Sequence, residues 1–273
     1  MVDRAQRSAR RVLAAGKGSA SPAPAVLNDA VQKLIDLNQS SLARYVANRH
    51  HVLNELARRL RRGADGSYLD EADIHSLIVP MKSCSDDMLE HSLWILDDRL
   101  AFHHYLASDL RNVDIPTTES TDGKRMDVVS FQRPRLDEGR IAFADGDRPS
   151  YSGIIIIEFK KPNRTDREVL AQVLDYIDDL RKGRLKDRHG RPLPVSDRPP
   201  PVFAYIVCDL SASHRDYLML HHKMQPTPDG EGLVGFWGEM RATVEVLTFD
   251  KMVADAQKRN QAFFHQLRLP KLT

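Results

Sequence analysis

Two carboxylates and a lysine stand beside two apolar segments of this chain. Asp127 lies within residues 125–131, and Glu158 and Lys160 come directly after four consecutive isoleucines, residues 154–157. Charges so close to an apolar layer are unfavourable unless they are paired or bind a metal ion. Carboxylate oxygens are ligands for hard divalent cations such as Mg2+ and Mn2+. These residue types therefore predict a site in which Asp127 and Glu158 hold a divalent cation next to Lys160.

Two strands have to bring these side chains together. The four isoleucines are β-branched and too few to span a membrane, so they predict a buried central strand. Glu158 and Lys160 are two residues apart at the end of this strand and therefore lie on one face of it. Residues 125–131 predict a second strand, which carries Asp127. If the two strands pair, the two acids meet at one end of a sheet.

The order of these residues resembles that of the PD-(D/E)xK nuclease superfamily, also called restriction-endonuclease-like. In this resemblance Asp127 is the first acid, Glu158 the second acid and Lys160 the lysine of the signature. Met126 stands where the signature has a proline, which is a departure from the pattern. The resemblance implies an α/β fold with a restriction-endonuclease-like core, in which helices flank a central mixed β-sheet. It also implies an enzyme that hydrolyses phosphodiester bonds, with DNA favoured over RNA.

The helix predicted after the isoleucine strand extends the resemblance. Gln172 and Tyr176 are four residues apart, so they share a helix face, and we expect this helix to end near Gly183. The pair matches the Q-x-x-x-Y element of the RecB-type branch of the superfamily. The resemblance implies that Gln172 and Tyr176 position the nucleophile or the scissile strand. It implies that Lys160 orients or deprotonates a water molecule, or stabilises charge that develops on the phosphate.

The resemblance also implies a metal site for Mg2+ or Mn2+. Its ligands are Asp127, Glu158 and the backbone carbonyl of Phe159. A further ligand comes from an early predicted helix, where Glu71 is the preferred candidate and His75 the second. The alternative is that neither residue binds a metal. Glu71 would then be an ordinary acid in a first helical turn, and His75 would face solvent or occupy a core position with its hydrogen bonds satisfied.

Basic residues cluster around the helix that carries the Q-x-x-x-Y element. The positions assigned to nucleic-acid binding are Lys161, Arg181, Lys182, Arg184 and Lys186. Such a run either contacts a phosphate backbone or forms a solvated loop, and the sequence leaves both open.

A longer resemblance extends from about residue 45 to residue 269. Segments such as EFKKP, QVLDYIDDLRKG and VEVLTFDKMVADAQKRNQAFF resemble the C-terminal nuclease-like region of large bacterial proteins that carry a GHKL-type ATPase in front of it. No such ATPase is visible here, so the resemblance implies a nuclease module with a GHKL-type ATPase partner. It also favours a role in defence against phage or plasmid DNA. A catalytically silent module that binds nucleic acid or docks a partner is the alternative.

Bulk composition limits the remaining choices. The chain has 273 residues, of which 41% are hydrophobic, which is enough for one substantial α/β core. Its net charge of +2 means that any affinity for nucleic acid must come from local patches. Cys84 and Cys208 have no metal-type spacing and indicate reduced thiols of a cytoplasmic protein. No membrane span or signal peptide is expected, and a homodimer is left open.

The domain prediction has three parts. Residues 1–24 predict a flexible basic tail, residues 25–66 an N-terminal helical segment and residues 67–273 the nuclease-like domain. Within the last part, residues 93–96 predict a short strand or a buried helical turn, followed by a helix over 98–108. Further predictions are a short strand at 141–143, a strand at 202–208, a helix at 211–222, a two-strand meander at 232–237 and 242–249, and a helix at 251–267.

Overall fold

The computed structural model shows an α/β protein with one open, mixed sheet of eight strands flanked by helices. It describes residues 24–61, 68, 70–84, 91–101, 103, 105–111, 114–115, 125–132, 153–162, 164, 166–182 and 200–270. No helix in these ranges combines the length and the apolar character that a membrane crossing requires.

Five helices and eight strands follow one another along the described chain. The helices are α1 (Pro24–Arg59), α2 (Glu71–Ile78), α3 (Val169–Lys182), α4 (Ala212–His222) and α5 (Phe249–Gln266). The strands are β1 (Ser83–Cys84), β2 (Tyr105–Arg111), β3 (Arg125–Gln132), β4 (Gly153–Phe159), β5 (Val202–Val207), β6 (Gln225–Pro226), β7 (Leu233–Trp237) and β8 (Ala242–Leu247). The order across the sheet is β1-β2-β3-β4-β5-β8-β7-β6.

The isoleucine strand β4 lies inside the sheet and every one of its residues is buried. It pairs antiparallel with β3 and parallel with β5, so its backbone is satisfied on both sides. A parallel neighbour requires a crossover, and α3 lies in the connection from β4 to β5. Ile154 and Ile156 belong to the same core cluster as Val173 and Ile177 of α3. The prediction of a buried central strand is therefore confirmed, and its partner helix covers the face that carries Glu158.

The helix predicted over residues 98–108 is wrong. Two short 3-10 turns, Leu93–Ile95 and Asp98–Ala101, precede strand β2, which contains Ser108. Strand β2 pairs with β1 on one side and β3 on the other, and its first four residues are all buried. A strand buried on both faces has no alternation of apolar and polar residues, so the sequence pattern could not distinguish it from a helix.

The other predicted elements are present with shifted ends. Helix α4 begins after Ser211, whose Oγ accepts the backbone N–H of His214 at 3.3 Å, as expected of a helix cap. Strands β7 and β8 form the predicted antiparallel meander, and α5 begins already at Phe249. The proposed strand at 141–143 and residues 1–23 of the proposed tail lie outside the described residues.

Two compact units divide the described chain. One contains residues within 1–54 and 259–273, and therefore most of α1 and the end of α5. The other contains residues 55–258 and the whole sheet. The candidate site belongs to the second unit.

Candidate active site

Asp127 links the ends of strands β3 and β4 through its side chain. The ladder between these strands runs from Gln132 opposite Gly153 to Val128 opposite Ile157. One residue further, Asp127 Oδ2 accepts the backbone N–H of Phe159 at 2.7 Å. Beyond the last backbone-paired residues, Val128 and Ile157, this side-chain hydrogen bond continues the link between the two strands. It holds the carboxylate of Asp127 beside the backbone of Phe159.

Four of the predicted site residues form a single hydrogen-bond network. Glu158 Oε1 accepts from Lys160 Nζ and from Gln172 Nε2, each at 2.9 Å. Gln172 Oε1 accepts from Lys160 Nζ at 3.1 Å. Gln172 Nε2 also lies 2.5 Å from the hydroxyl of Tyr176, one turn along α3. The shared helix face predicted for Gln172 and Tyr176 therefore meets the end of β4, as the sequence indicated.

The second oxygen of Glu158 is buried without a hydrogen-bond partner. Glu158 is only 3% exposed, and its Oε2 has no partner in the structure. A buried polar atom without a partner is costly and is usually satisfied by a water molecule or an ion. Together with Asp127 on the neighbouring strand, this oxygen makes a donor set of two carboxylates that fits a hard divalent cation.

Burial makes the two acids reluctant to ionise. It raises the pKa of Asp127 to about 8, the charge of Glu158 adds to the effect, and the Phe159 N–H opposes it. Burial likewise raises the pKa of Glu158, against the attraction of Lys160. Burial by itself lowers the pKa of Lys160, but Glu158 and the other nearby acids outweigh it and the pKa rises. When both acids are ionised, their two negative charges exceed the single positive charge of Lys160, so a bound cation would stabilise the ionised state.

Glu71 contributes charge to the site, and the described side chains form no complete set of metal ligands. Glu71 lies in the first turn of α2, and its charge helps to raise the pKa of both Asp127 and Glu158. Among the residues that the structure describes, no group of three or more His, Cys, Asp and Glu side chains is arranged to hold a metal ion. The described donors are thus two carboxylates, and Glu71 as a third ligand stays a prediction.

His75, the second candidate from the early helix, packs directly against Asp127. It is 1% exposed, and its Nδ1 lies 3.9 Å from Asp127 Oδ1. Its Nε2 lies 2.8 Å from Ser108 Oγ, and its ring centroid is 5.3 Å from that of Phe159. Burial lowers the pKa of His75 to about 4, and Asp109 opposes this. His75 is therefore neutral near pH 7, with one ring nitrogen directed at the first acid.

The sequence did not single out two residues that contact this site. Ser108, whose Oγ is hydrogen-bonded to His75 Nε2, lies in strand β2 and not in a helix as the sequence predicts. Asp166 lies 3.8 Å from Lys160 Nζ through its Oδ2, while its Oδ1 accepts the backbone N–H of Glu168. The spacing of Asp166 and Glu168 just before α3 is typical of a helix start, and this was the available signal.

Of the five basic residues assigned to nucleic-acid binding, the structure describes the side chains of Lys161 and Arg181, and these two have different partners. Lys161 Nζ is bonded to Asp70 Oδ1 at 2.5 Å, and Arg181 donates to the carbonyl of Glu239 at 2.8 Å. Lys182 is the last residue of α3. The remaining two, Arg184 and Lys186, lie outside the described residues. Their role in binding nucleic acid stays a prediction.

Comparisons with protein-family models, with curated proteins and with solved structures return no match for this chain. The functional argument therefore depends on the motifs and on the geometry of the site.

Proposed function

We propose that this chain is a metal-dependent nuclease of the PD-(D/E)xK type that hydrolyses phosphodiester bonds, with DNA as the preferred substrate. One observation carries the proposal. Asp127 of β3, Glu158 and Lys160 at the end of β4 and Gln172 of α3 meet at the end of a buried strand, and one oxygen of Glu158 there has no hydrogen-bond partner. An ordinary surface ion pair does not explain buried acids with raised pKa values.

Each residue has a definite task in this proposal. Asp127, Glu158 and the carbonyl of Phe159 would hold Mg2+ or Mn2+, and the ion supplies Lewis-acid polarisation of the phosphate and a more acidic bound water. Because the pKa of Lys160 is raised, its ammonium group stays charged next to the reacting group, where it orients the water and stabilises charge that develops on the phosphate. Gln172 fixes Glu158 and Lys160 relative to each other through its amide, so that neither turns away when substrate binds.

The test is cleavage of linear duplex, circular duplex and single-stranded DNA in Mg2+ or Mn2+, by the wild type and by Asp127→Asn. We expect metal-dependent cleavage by the wild type and none by the variant, because the variant lacks one of two anionic ligands. Circular substrates separate endonuclease from exonuclease action, and an RNA of the same sequence tests the preference for DNA. A wild type that neither binds Mn2+ nor cuts any of these substrates would falsify the proposal.

A catalytically silent module that binds nucleic acid or docks a partner is the second candidate. The observation that favours it is the lack of a three-residue metal cluster among the described side chains. The same experiment decides between the two, since a silent module binds DNA in EDTA but shows no cleavage with either metal. Binding of Mn2+ without cleavage would instead favour a nuclease that needs its proposed GHKL-type ATPase partner in the bacterial cytoplasm.

Replacing Gln172 with leucine should lower the rate of cleavage about 10- to 100-fold while the protein stays folded. Leucine has a similar volume but cannot bond Glu158 or Lys160, so the direct hydrogen bond between these two residues loses the support of the amide. Asp175→Ala is the matched control, because Asp175 is exposed on the same helix and should change the rate little. Single-turnover kinetics on both variants measure the effect. Equal rates for the two variants would exclude a positioning role for Gln172.

Affinity for Mn2+ should increase with pH. Because burial raises the pKa of both acids, and that of Asp127 to about 8, protons compete with the cation below that pH. We expect the dissociation constant to fall by about tenfold per unit between about pH 6 and pH 8, with release of protons on binding. Calorimetric titration in two buffers of different ionisation enthalpy measures both quantities. An affinity that is independent of pH would contradict the raised pKa values.

A further inference from the structure

The first half of α1 presents apolar side chains to solvent. Every side chain described between residues 28 and 36 is exposed, including Val31 (40%) and Ile35 (42%). These two residues are four apart and share one helix face. Helices in proteins are stabilised mostly by burying such a face. Within the described chain this face therefore lacks a covering element.

The second half of α1 and the end of α5 form an open apolar groove in the same unit. A cavity of ≈ 520 Å3 lies between them, and Leu42, Val46, Phe263 and Leu267 line it. Leu42 is 55% exposed and Phe263 is 51% exposed. The groove is thus accessible and its apolar walls are incompletely covered.

Specific contacts join α1 to α5 and to the segment that follows α5. Arg49 Nη1 donates to Asn260 Oδ1 at 3.0 Å, and His50 Nε2 lies 2.7 Å from the carbonyl oxygen of Pro270. The ring of His50 also packs edge-on against Phe264 at a centroid distance of 5.0 Å. These contacts hold the two helices that form the groove walls together.

Exposed apolar surface is concentrated in this small unit. Large apolar side chains that are exposed in the described chain number nine, and six of them belong here. The six are Val31, Ile35, Leu42, Tyr45, Phe263 and Leu267. Isolated exposed apolar residues are normal on a protein surface, whereas a contiguous group marks an interaction site.

We propose that a second copy of this chain covers this surface, with the first half of α1 from each protomer lying in the groove of its partner. Each copy carries both the apolar ridge and the groove, and a two-fold axis satisfies both in one isologous contact. The charges are complementary. On the ridge, Lys33 pairs with Asp29, which leaves Asp36 as the net negative charge, whereas Arg44 and Arg268 directly follow Ala43 and Leu267 of the groove wall.

The spacing along α1 specifies how the two copies meet. Val31, Ile35, Asn38, Leu42 and Tyr45 alternate in steps of four and three, which is the heptad pattern of paired helices. In an antiparallel pair centred on Asn38, Ile35 faces the partner's Leu42 and Val31 faces the partner's Tyr45. A single polar residue at the central layer is a known device for fixing register.

Analytical ultracentrifugation of the full chain tests the proposal. We expect the wild type to sediment as a dimer of twice the chain mass of 31.0 kDa. Leu42→Asp should be a monomer with unchanged circular dichroism, because Leu42 is exposed in the single chain. Leu220→Asp is the matched control, since Leu220 is 77% exposed on α4 and should leave the dimer intact. A monomeric wild type at the highest soluble concentration, or a dimer insensitive to Leu42→Asp, overturns the proposal.

A charge exchange tests the reciprocal arrangement. Ile35→Lys and Leu42→Glu, each alone, should be monomeric because both contacts of the symmetric pair are disrupted. An equimolar mixture should form heterodimers, in which one contact becomes an ion pair and the other keeps the native Ile35 and Leu42. If the mixture stays monomeric while the wild type dimerises, the two-fold arrangement is wrong.

Discussion

Lys160→Ala is expected to reduce metal-dependent cleavage by about 10^3-fold or more, with most of the loss in kcat. The ammonium group of Lys160 donates a hydrogen bond to the buried Glu158. It also lies 3.8 Å from Asp166 Oδ2. Without it, no ammonium group stabilises the phosphate or activates water at this position. The effect is measured by single-turnover cleavage at saturating enzyme, so that chemistry and binding are separated.

The same variant should still bind Mn2+, and it should bind it at least as tightly as the wild type. Removal of Lys160 frees Glu158 Oε1 from a competing cation, and both carboxylates remain. Lys258→Ala is a suitable control, because Lys258 also pairs with a carboxylate, Asp255, but lies on the exposed surface. A Lys160→Ala protein that cuts at the wild-type rate would show that Lys160 has only a structural role.

Asp127→Asn is expected to make the metal-free protein more stable at alkaline pH. An acid whose pKa is higher in the folded state than in the unfolded chain binds more protons when folded, so stability falls as pH rises between the two pKa values. For Asp127 this window extends from its usual value of 3.8 to about 8. The wild type should therefore lose up to ~1.4 kcal/mol per pH unit across the window from this group.

The asparagine variant lacks this ionisation and keeps an oxygen that can accept the Phe159 N–H. Its advantage in free energy of unfolding should grow from about pH 4 to pH 8 and then level off, reaching a few kcal/mol. Urea denaturation in EDTA at several pH values measures it. Added Mn2+ should restore stability to the wild type and not to the variant. If Asp127→Asn is less stable than the wild type at pH 8, the carboxylate is stabilising and the argument for strained buried charge fails.

Sequence patterns were sufficient to predict those strands and helices whose residue types or spacing fit only one kind of secondary structure. The four isoleucines could only be a buried strand, because they are β-branched and too few for a membrane span. The helix with Gln172 and Tyr176 followed from residue spacing, and both side chains reach Glu158 or its neighbours as expected. The same reasoning failed for β2, since a strand buried on both faces shows no periodicity.

Some residues of the candidate site could likewise be predicted from the sequence, whereas others are evident only in the structure. Asp127, Glu158 and Lys160 could be named from the sequence, because an acid and a lysine next to an apolar run require a compensating partner. The position of Asp166 beside Lys160 could not be predicted from the sequence, because it depends on how the segment before α3 packs against the end of β4. Which oxygen of Glu158 remains without a partner is likewise decided only by the packed structure.

The early helix shows most clearly what only the tertiary structure decides. The sequence places Glu71 and His75 one turn apart, and the resemblance to the nuclease superfamily favours Glu71 as the metal ligand, with His75 second. The fold buries His75 against Asp127, and the charge of Glu71 acts on Asp127 and Glu158, while Glu71 as a metal ligand stays a prediction. Local spacing determines which residues share a helix face. The docking angle of that helix on the sheet determines how close each of them comes to the site, and that angle is set by the packing of residues distant in sequence.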